Sequence, residues 1–354
     1  MSVLDQPESW ISIDPRSMRS LIESFPEQVH DAALKGRELS LSIPRDPRVL
    51  VVTGLGGSAI GGDLVRSVTG RQLRIPLIVN RDYDLPGFVD AFSLVIACSY
   101  SGNTEETISA YQQARQARAN ILCITSGGKL RTMAEADACP VLAIPGGLPP
   151  RAALGHSLIT MLFALQSLNL IPDISNDVQE TVRLLRDLSQ RYGTSNPEAG
   201  NPAKKLARAL YGKIAAIYGS NLIMDAAAFR WRCQVAENSK NLGFHHVLPE
   251  LNHNELVGWL YPENVLRNIG VVFLRDREDH PQVQLRFDLT RELIADKAGS
   301  LNEVWSEGNA LLARIMSVIY LGDFVSLYLA YLNNADPMPV EVIDYLKGKL
   351  STSH

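Results

Sequence analysis

Short, fully apolar runs alternate with amphipathic stretches along the first half of the chain. The apolar runs cover residues 48–53, 76–80, 94–98, 121–125 and 141–144. Between them, apolar residues recur at helical spacing near 61–69, 104–119 and 128–136. Runs that are apolar on both faces are typical of buried parallel strands, and their alternation with helices indicates a sheet covered on both sides. This half is therefore predicted to be a doubly wound α/β unit.

The second half repeats this plan after a polar interruption. Its predicted strands cover 213–218, 245–248, 270–274 and 301–306. Its predicted helices cover 222–241, 254–260, 281–297 and 311–332, and a last helix begins near Pro339. The predicted segments are N-terminal lead-in helices (1–45), a first α/β unit (46–172), a linker helix and loop (173–204), and a second α/β unit with C-terminal helices (205–354). We thus expect two domains of similar architecture.

Composition and charge narrow the class of protein. Of the 354 residues 46% are hydrophobic and 20% are charged, and the net charge of −4 argues against a nucleic-acid binder. No apolar run reaches membrane-spanning length without a glycine, an asparagine or a charge, so no membrane contact is expected. The cysteines, which follow no metal-binding spacing, are Cys98, Cys123, Cys139 and Cys233. We expect free thiols and a cytoplasmic protein.

Two polar turns suited to an anion follow the first and third predicted strands. The glycine turn (residues 54–62) has the sequence Gly-Leu-Gly-Gly-Ser-Ala-Ile-Gly-Gly, and the hydroxyl loop (residues 99–104) has the sequence Ser-Tyr-Ser-Gly-Asn-Thr. A helix is predicted after each, and Thr104 is suited to be the N-cap of the second helix. The carboxyl ends of parallel strands share one edge of a sheet, where helix N-termini present N–H groups and partial positive charge.

The ligand at this edge has two interpretations. A dinucleotide would use a G-x-G-x-x-G turn, from which the glycine turn departs in spacing, although Asp82 after the second strand could bind a ribose. The candidate phosphate ligands are Gly57, Ser58, Ser99, Ser101 and Thr104. Hydroxyl groups combined with backbone amides suit one phosphomonoester better than a bridged pyrophosphate. A sugar phosphate is therefore favoured over a dinucleotide.

The two turns and three later segments resemble those of the bifunctional phosphoglucose/phosphomannose isomerases, which are built from two sugar isomerase (SIS) domains. The later segments are Pro149-Pro150-Arg151-Ala152, Glu237-Asn238-Ser239-Lys240 and Asn252-His253-Asn254-Glu255. The resemblance runs from about residue 50 to residue 350. It implies two doubly wound, flavodoxin-like domains with parallel sheets. It also implies reversible conversion of glucose 6-phosphate and mannose 6-phosphate to fructose 6-phosphate, through a cis-enediol without metal or other cofactor. The expected assembly is a homodimer in which the neighbouring subunit supplies the ring-opening histidine.

The same resemblance assigns roles to single residues. Glu237 matches the base that carries a proton between C2 and C1, a task that suits a carboxylate in a partly dry pocket. His253 matches the group that opens the sugar ring, and Arg151 matches the cation that stabilises the enediolate. Lys347 or the nearby Lys349 matches a lysine of the final helix that assists ring opening. Without the resemblance, each of these would be interpreted as a surface or loop residue.

A non-catalytic SIS sensor that binds a sugar phosphate and regulates a partner is the alternative function. Such a protein would need the hydroxyl groups of the two turns. It would not need Glu237, Arg151 or His253, which are all present here and favour an enzyme. The sequence leaves open which of the two aldose phosphates is preferred, because the two differ only in the orientation of one hydroxyl group.

Overall fold

Two parallel β-sheets, one from each half of the chain, carry the fold of the computed structural model, which describes residues 3–350. The strands are β1 (Val49–Thr53), β2 (Leu77–Asn80), β3 (Ser93–Cys98), β4 (Asn120–Thr125), β5 (Val141–Ala143), β6 (Ile214–Ser220), β7 (Gly243–Leu248), β8 (Ile269–Arg275) and β9 (Ser300–Trp305). The helices are α1 (Pro7–Ile13), α2 (Met18–Glu23), α3 (Phe25–Gly36), α4 (Gly56–Thr69), α5 (Glu105–Gln116), α6 (Gly128–Ala136), α7 (Leu154–Ser167), α8 (Ser175–Tyr192), α9 (Pro202–Leu210), α10 (Asp225–Ser239), α11 (Glu255–Gly258), α12 (Glu263–Leu266), α13 (Pro281–Ile294), α14 (Leu311–Leu332) and α15 (Glu341–Leu350). Short 3₁₀ helices cover Val3–Asp5, Pro150–Ala152 and Glu250–His253.

The first sheet has the strand order β2-β1-β3-β4-β5, with every pair parallel. Every residue of β3 and β4 is buried, as the apolar runs predict for central strands covered on both faces. The strand order reverses between β1 and β3, so this sheet has a flavodoxin-like switch point there. The predicted α/β class is confirmed, and both polar turns follow the two strands that flank the switch point.

The second sheet has the order β7-β6-β8-β9, which repeats the first order with one strand fewer. Strand β8 takes the place that β3 has in the first sheet, but acidic residues follow it instead of hydroxyl groups. Asp276 is fully buried and accepts hydrogen bonds from Ser306 and from the Arg314 guanidinium, 2.9 Å away. Asp279 is also buried, and burial raises the pKa of its carboxyl group. The two sheets therefore share an architecture, but a buried Asp276–Arg314 ion pair follows β8 where hydroxyl groups follow β3.

Helix α14 follows β9 along the chain and packs against other helices at the centre of the molecule. Among residues 3–350 it is the one helix that is long and apolar enough, by length and composition, to cross a membrane, and Gly322 and Asp323 interrupt its apolar run. In the structure, 94% of its most apolar window is buried inside the protein, against α10, α8 and α9. A side chain at Gly322 would lie 2.3 Å from the Trp231 indole nitrogen, so a glycine lets α10 pack closely here. A helix that is apolar on all sides is thus a core helix.

Residues 173–204, predicted as a linker helix and loop, contain helix α8. The apolar face of α8 packs against α14 and α3, through buried side chains that include Val178, Leu185 and Leu188. The N-terminal helices join the same core, where Trp10 stacks on Tyr331 of α14. One continuous apolar core therefore connects the N-terminal helices, α8 and the inner faces of both sheets.

Candidate active site

The two polar turns meet at the carboxyl edge of the first sheet. The glycine turn follows β1, and the hydroxyl loop follows the adjacent strand β3. Helices α4 and α5 both begin at this edge, and neither N-terminus has a hydrogen bond from a capping side chain. The first N–H groups of a helix have no partner within the helix, so the two helix starts offer donors for an anion.

The glycine turn is shorter than predicted, because α4 begins at Gly56 and not near residue 61. Glycine has a low helix propensity, but its lack of a side chain allows other backbone segments to pack closely against this turn, and these contacts stabilise the start of the helix. A side chain at Gly54 would lie 2.6 Å from the carbonyl oxygen of Cys98, at the end of β3. One at Gly57 would lie 3.0 Å from the carbonyl oxygen of Pro150, next to Arg151. The glycine turn is thus packed against the end of β3 at Gly54 and against the Arg151 segment at Gly57.

The hydroxyl groups of the loop differ in burial and partners. Ser99 is 1% exposed, its Oγ lies 2.9 Å from Thr104 Oγ1, and it accepts a hydrogen bond from the Gly102 N–H. Thr104 occupies the N-cap position as predicted, but its hydroxyl bonds Ser99 and does not cap the helix. Ser101 is exposed, and its Oγ accepts from the Asn103 N–H. Of these hydroxyl groups, that of Ser101 faces solvent most openly.

Glycines also fix the hydroxyl loop against the loop that follows β4. Gly102 has a φ of +69°, and a side chain there would lie 1.8 Å from the carbonyl oxygen of Gly127. Gly128 has a φ of +71° and packs against the Ser101 carbonyl oxygen. The side-chain oxygen of Asn103 accepts a hydrogen bond from the Lys129 N–H at 3.0 Å. The conformation of the hydroxyl loop is therefore determined by contacts distant in sequence.

Tyr100, which was not predicted as a site residue, connects the hydroxyl loop to the segment that precedes Arg151. Its hydroxyl accepts a hydrogen bond from the Leu148 N–H at 2.8 Å. Its carbonyl oxygen accepts from the Ser126 hydroxyl at 2.6 Å. These bonds hold the hydroxyl loop, the loop after β4 and the Arg151 segment together.

Arg151 and Glu237 lie side by side at this site. Arg151 Nη1 is 3.5 Å from Glu237 Oε2, in the last turn of α10. The guanidinium is 5% exposed and also donates to Asn238 Oδ1 at 2.7 Å and to the carbonyl oxygens of Pro337 and Met338 at 2.8 and 2.9 Å. Burial lowers the pKa of Arg151, and the Glu237 carboxylate opposes that shift. The Glu237 side chain is 30% exposed, so it can still meet a ligand.

The segment of residues 336–339 is held beside this pair. Asp336 forms an ion pair with Arg16 at 3.5 Å. Lys240 Nζ donates to the carbonyl oxygens of Pro339 and Glu237 at 2.8 and 2.6 Å. Burial and the nearby Arg151 lower the pKa of Lys240. This segment leads directly into α15, so α15 begins next to the Arg151–Glu237 pair.

The structure of one chain does not bring His253 to Glu237. His253 is exposed and follows the carboxyl end of β7, whereas α10 places Glu237 at the amino end of that strand. A strand of six residues spans roughly 20 Å, so the two side chains lie at opposite edges of the second sheet. Helix α15, which carries Lys347 and Lys349, has no buried residue. One chain thus brings Arg151 and Glu237 together beside the glycine turn, and His253 lies at another edge.

Neither a ribose site nor a metal cluster is apparent among the described residues. Asp82 is exposed and its carboxylate accepts a hydrogen bond from the Tyr83 N–H. Within residues 3–350, no group of three or more His, Cys, Asp and Glu side chains is placed to hold a metal ion. Cys98 and Cys123 are buried free thiols, and burial raises the pKa of Cys98 to about 11.

Comparisons with known proteins place the chain among sugar-phosphate isomerases. The model for the bacterial phospho-glucose isomerase C-terminal SIS domain matches residues 199–350. The bifunctional phosphoglucose/phosphomannose isomerase of Caldicellulosiruptor bescii is 47% identical over 331 residues, which cover 93% of this chain and 98% of that protein. The protein of the same name from Aquifex aeolicus is 38% identical over 304 residues, covering 85% of this chain and 90% of that protein. A glucose-6-phosphate isomerase like protein from Thermus thermophilus aligns with a TM-score of 0.63 at 18% identity, covering 95% of this chain and 98% of that chain.

The two kinds of comparison support different statements. The solved structure is distant in sequence, so it supports the fold of two SIS domains. The relatives from Caldicellulosiruptor bescii and Aquifex aeolicus are similar over nearly their whole length, which includes both polar turns and the later segments. The chain therefore belongs to the bifunctional phosphoglucose/phosphomannose isomerase family, and it is an isomerase.

Proposed function

We propose that this isomerase interconverts glucose 6-phosphate and mannose 6-phosphate with fructose 6-phosphate. The observation that carries the proposal is the contact between Arg151 and Glu237, beside the glycine turn. A partly exposed carboxylate next to a buried, immobilised cation is the pair that aldose–ketose isomerisation needs. One group moves the proton, and the other stabilises the charge that develops on oxygen.

The phosphate group would be held by the two polar turns. The N–H groups at the starts of α4 and α5 would donate to it, together with the hydroxyl groups of Ser58, Ser101 and Thr104. Ser99 would act on the phosphate site mainly by shaping the loop, because it is buried and bonded to Thr104. A dianion at two helix starts is favoured by the aligned peptide dipoles.

The proton transfer would use the open-chain sugar. Glu237 removes the proton at C2 of the aldose, which leaves a cis-enediolate. A proton then passes from O2 to O1, and Glu237 returns its proton to C1 to give the ketose. Arg151 stabilises the negative charge that develops on the oxygen atoms, and its hydrogen bonds hold it in place before the reaction begins. A carboxylate and a fixed cation together supply what the reaction needs, so we propose a metal-independent mechanism.

Ring opening would require a second subunit. His253 lies at the edge of the second sheet that is remote from Glu237, so the partner subunit's His253 would complete the site in a symmetric homodimer. Lys347 or Lys349 on α15 would assist, since α15 starts beside the Arg151–Glu237 pair. We also propose that the enzyme works in the cytoplasm, because its substrates are intracellular metabolites.

The substrate proposal is tested by a coupled assay of fructose 6-phosphate formation from each aldose 6-phosphate, in the presence and absence of a strong chelator. Both aldoses should be converted, and prolonged dialysis against the chelator should leave the rates unchanged. Conversion of neither aldose would refute the proposed substrates. Loss of activity that added zinc or magnesium restores would refute the metal-independent mechanism alone.

The shared site is tested by mixing two inactive variants, Glu237→Gln and His253→Ala, and allowing the subunits to exchange. Half of the dimers would then be hybrids, and each hybrid would contain one intact site. The mixture should regain about a quarter of the wild-type activity. Absence of recovery, with subunit exchange verified by mass spectrometry, would show that His253 acts within its own chain or not at all.

A further inference from the structure

One face of α10 buries a row of polar side chains next to Glu237. Arg230, Gln234 and Asn238 follow one another at intervals of four residues and are 2%, 3% and 0% exposed. They face α14, the central apolar helix. Polar groups buried in this way require partners, and each partner restricts where the side chain can point.

The partners on α14 are Asp323 and Ser326. Asp323 accepts hydrogen bonds from Arg230 at 2.8 Å and from Gln234 at 2.9 Å. The Ser326 hydroxyl donates to the Asp323 carbonyl oxygen, so it can accept the Nδ2 hydrogen of Asn238, 3.0 Å away. The amide of Asn238 is thereby oriented with its Oδ1 away from α14.

The row makes two contacts with Arg151. Arg230 donates to the main-chain carbonyl oxygen of Arg151 at 3.1 Å. The Oδ1 of Asn238 accepts from Arg151 Nε at 2.7 Å. Both the backbone and the guanidinium of Arg151 are therefore fixed by α10, the helix that also carries Glu237.

We propose that Asn238 is a positioning residue, which holds the Arg151 guanidinium with a neutral acceptor so that its charge stays directed at Glu237 and the substrate. This inference rests on the proposed function, because it assigns Arg151 the developing enediolate. An asparagine oxygen accepts the Nε hydrogen without neutralising the cation. A carboxylate in the same place would form a stronger, charge-assisted bond and would weaken the field of Arg151 at the reacting oxygen atoms.

The test is Asn238→Asp, which keeps the shape of the side chain and adds a charge. Complete removal of one preorganised hydrogen-bond donor lowers kcat by a factor of ~10²–10³. Asn238→Asp only weakens Arg151, so kcat should fall about 10- to 100-fold. KM should change less than about threefold, since the phosphate is bound elsewhere. The acidic limb of the kcat/KM profile, which reports the free enzyme, should move to higher pH. The charged groups that act on Arg151 and Lys240 here are Glu237, Arg230, Arg16 and Asp336, and all remain in the variant.

Two further variants separate positioning from folding. Asn201→Asp alters an equally buried asparagine that caps α9, so it should lower stability without moving the pH profile. Ser326→Ala frees the Asn238 amide and should lower kcat about three- to tenfold without moving the profile. It also provides the test if Asn238→Asp does not fold.

The outcomes are distinct. A lower kcat with a shifted acidic limb supports the inference. A wild-type kcat in Asn238→Asp overturns the inference. A lower kcat in Asn238→Asp whose pH profile is unshifted, like that of Asn201→Asp, also overturns it. A wild-type kcat in Ser326→Ala overturns it as well. Wild-type protein that isomerises neither aldose would overturn the proposed function, and the inference with it.

Discussion

Replacement of Glu237 by Gln should separate catalysis from both binding and folding. The change keeps the size of the side chain and removes the carboxylate that contacts Arg151 at 3.5 Å. Arg151 keeps its hydrogen bonds to Asn238, Pro337 and Met338. Glu237 is 30% exposed but Arg151 is buried, so loss of the carboxylate should lower the free energy of unfolding by at most about 1–3 kcal/mol.

The expected loss of activity is much larger. General-base catalysis supplies roughly two to four orders of magnitude, which corresponds to about 3–5 kcal/mol in the activation barrier. Binding should be retained, because the phosphate would be held by the starts of α4 and α5, on the first sheet. The variant is therefore predicted to be a stable protein that binds fructose 6-phosphate and isomerises it very slowly.

The assay is exchange of the C2 hydrogen of glucose 6-phosphate with heavy water, together with calorimetric binding of fructose 6-phosphate and chemical denaturation. Glu307→Gln is a suitable control, because Glu307 also pairs with an arginine and is similarly exposed, but lies on a different surface. The control should exchange at the wild-type rate. Wild-type exchange in Glu237→Gln would mean that another group is the base, and the mechanism given above would be wrong.

Three further predictions address the loop, its glycines and the pH dependence of stability. Ser101→Ala should raise KM about 10- to 100-fold, since a hydrogen bond to a charged group contributes about 1.5–3 kcal/mol; unchanged affinity for fructose 6-phosphate would exclude the loop. Gly102→Ala should lower the free energy of unfolding by about 3 kcal/mol, because its side chain would meet the next loop at a φ of +69°; an unaltered denaturation midpoint would contradict this. Burial lowers the pKa of His156, so the folded state resists protonation and loses stability as the pH falls below about 6.5. His156→Gln should flatten stability between about pH 5 and pH 7, measured by denaturation; a slope equal to that of the wild type would refute this role.

The sheets could be predicted from the sequence because their strands are apolar on both faces. The start of α4 could not, since glycine is a poor helix former and the first turn is stabilised by contacts with the ends of other segments. The helix over residues 311–332 could be predicted from the sequence, but the contacts that accommodate its two interruptions could not. Gly322 and Asp323 interrupt its apolar run, but Trp231 packs over the glycine and Arg230 pairs with the aspartate.

The candidate site was predictable in its residues but not in its arrangement. The resemblance selected Arg151 and Glu237, and the structure places them in contact. Asn238 stood in the same segment, but its role depends on partners 87 and 88 residues away, which no local pattern indicates. His253 was also selected, and its distance from Glu237 follows only from the direction of α10 relative to β7.

The acidic residues after β8 bear on which of the two similar sheets can bind the phosphate group of the substrate. At the switch point of the second sheet, where the first sheet offers hydroxyl groups, Asp276 is buried and already bonded to Arg314 and to the Ser306 hydroxyl. Because the cation and the hydroxyl group at this edge are already bonded to Asp276, we expect the second edge to bind a phosphate more weakly than the first, although the two edges share an architecture. In the proposed dimer each subunit would then bind the sugar phosphate at its first sheet, and the second edge would remain available to deliver His253 to the neighbouring molecule.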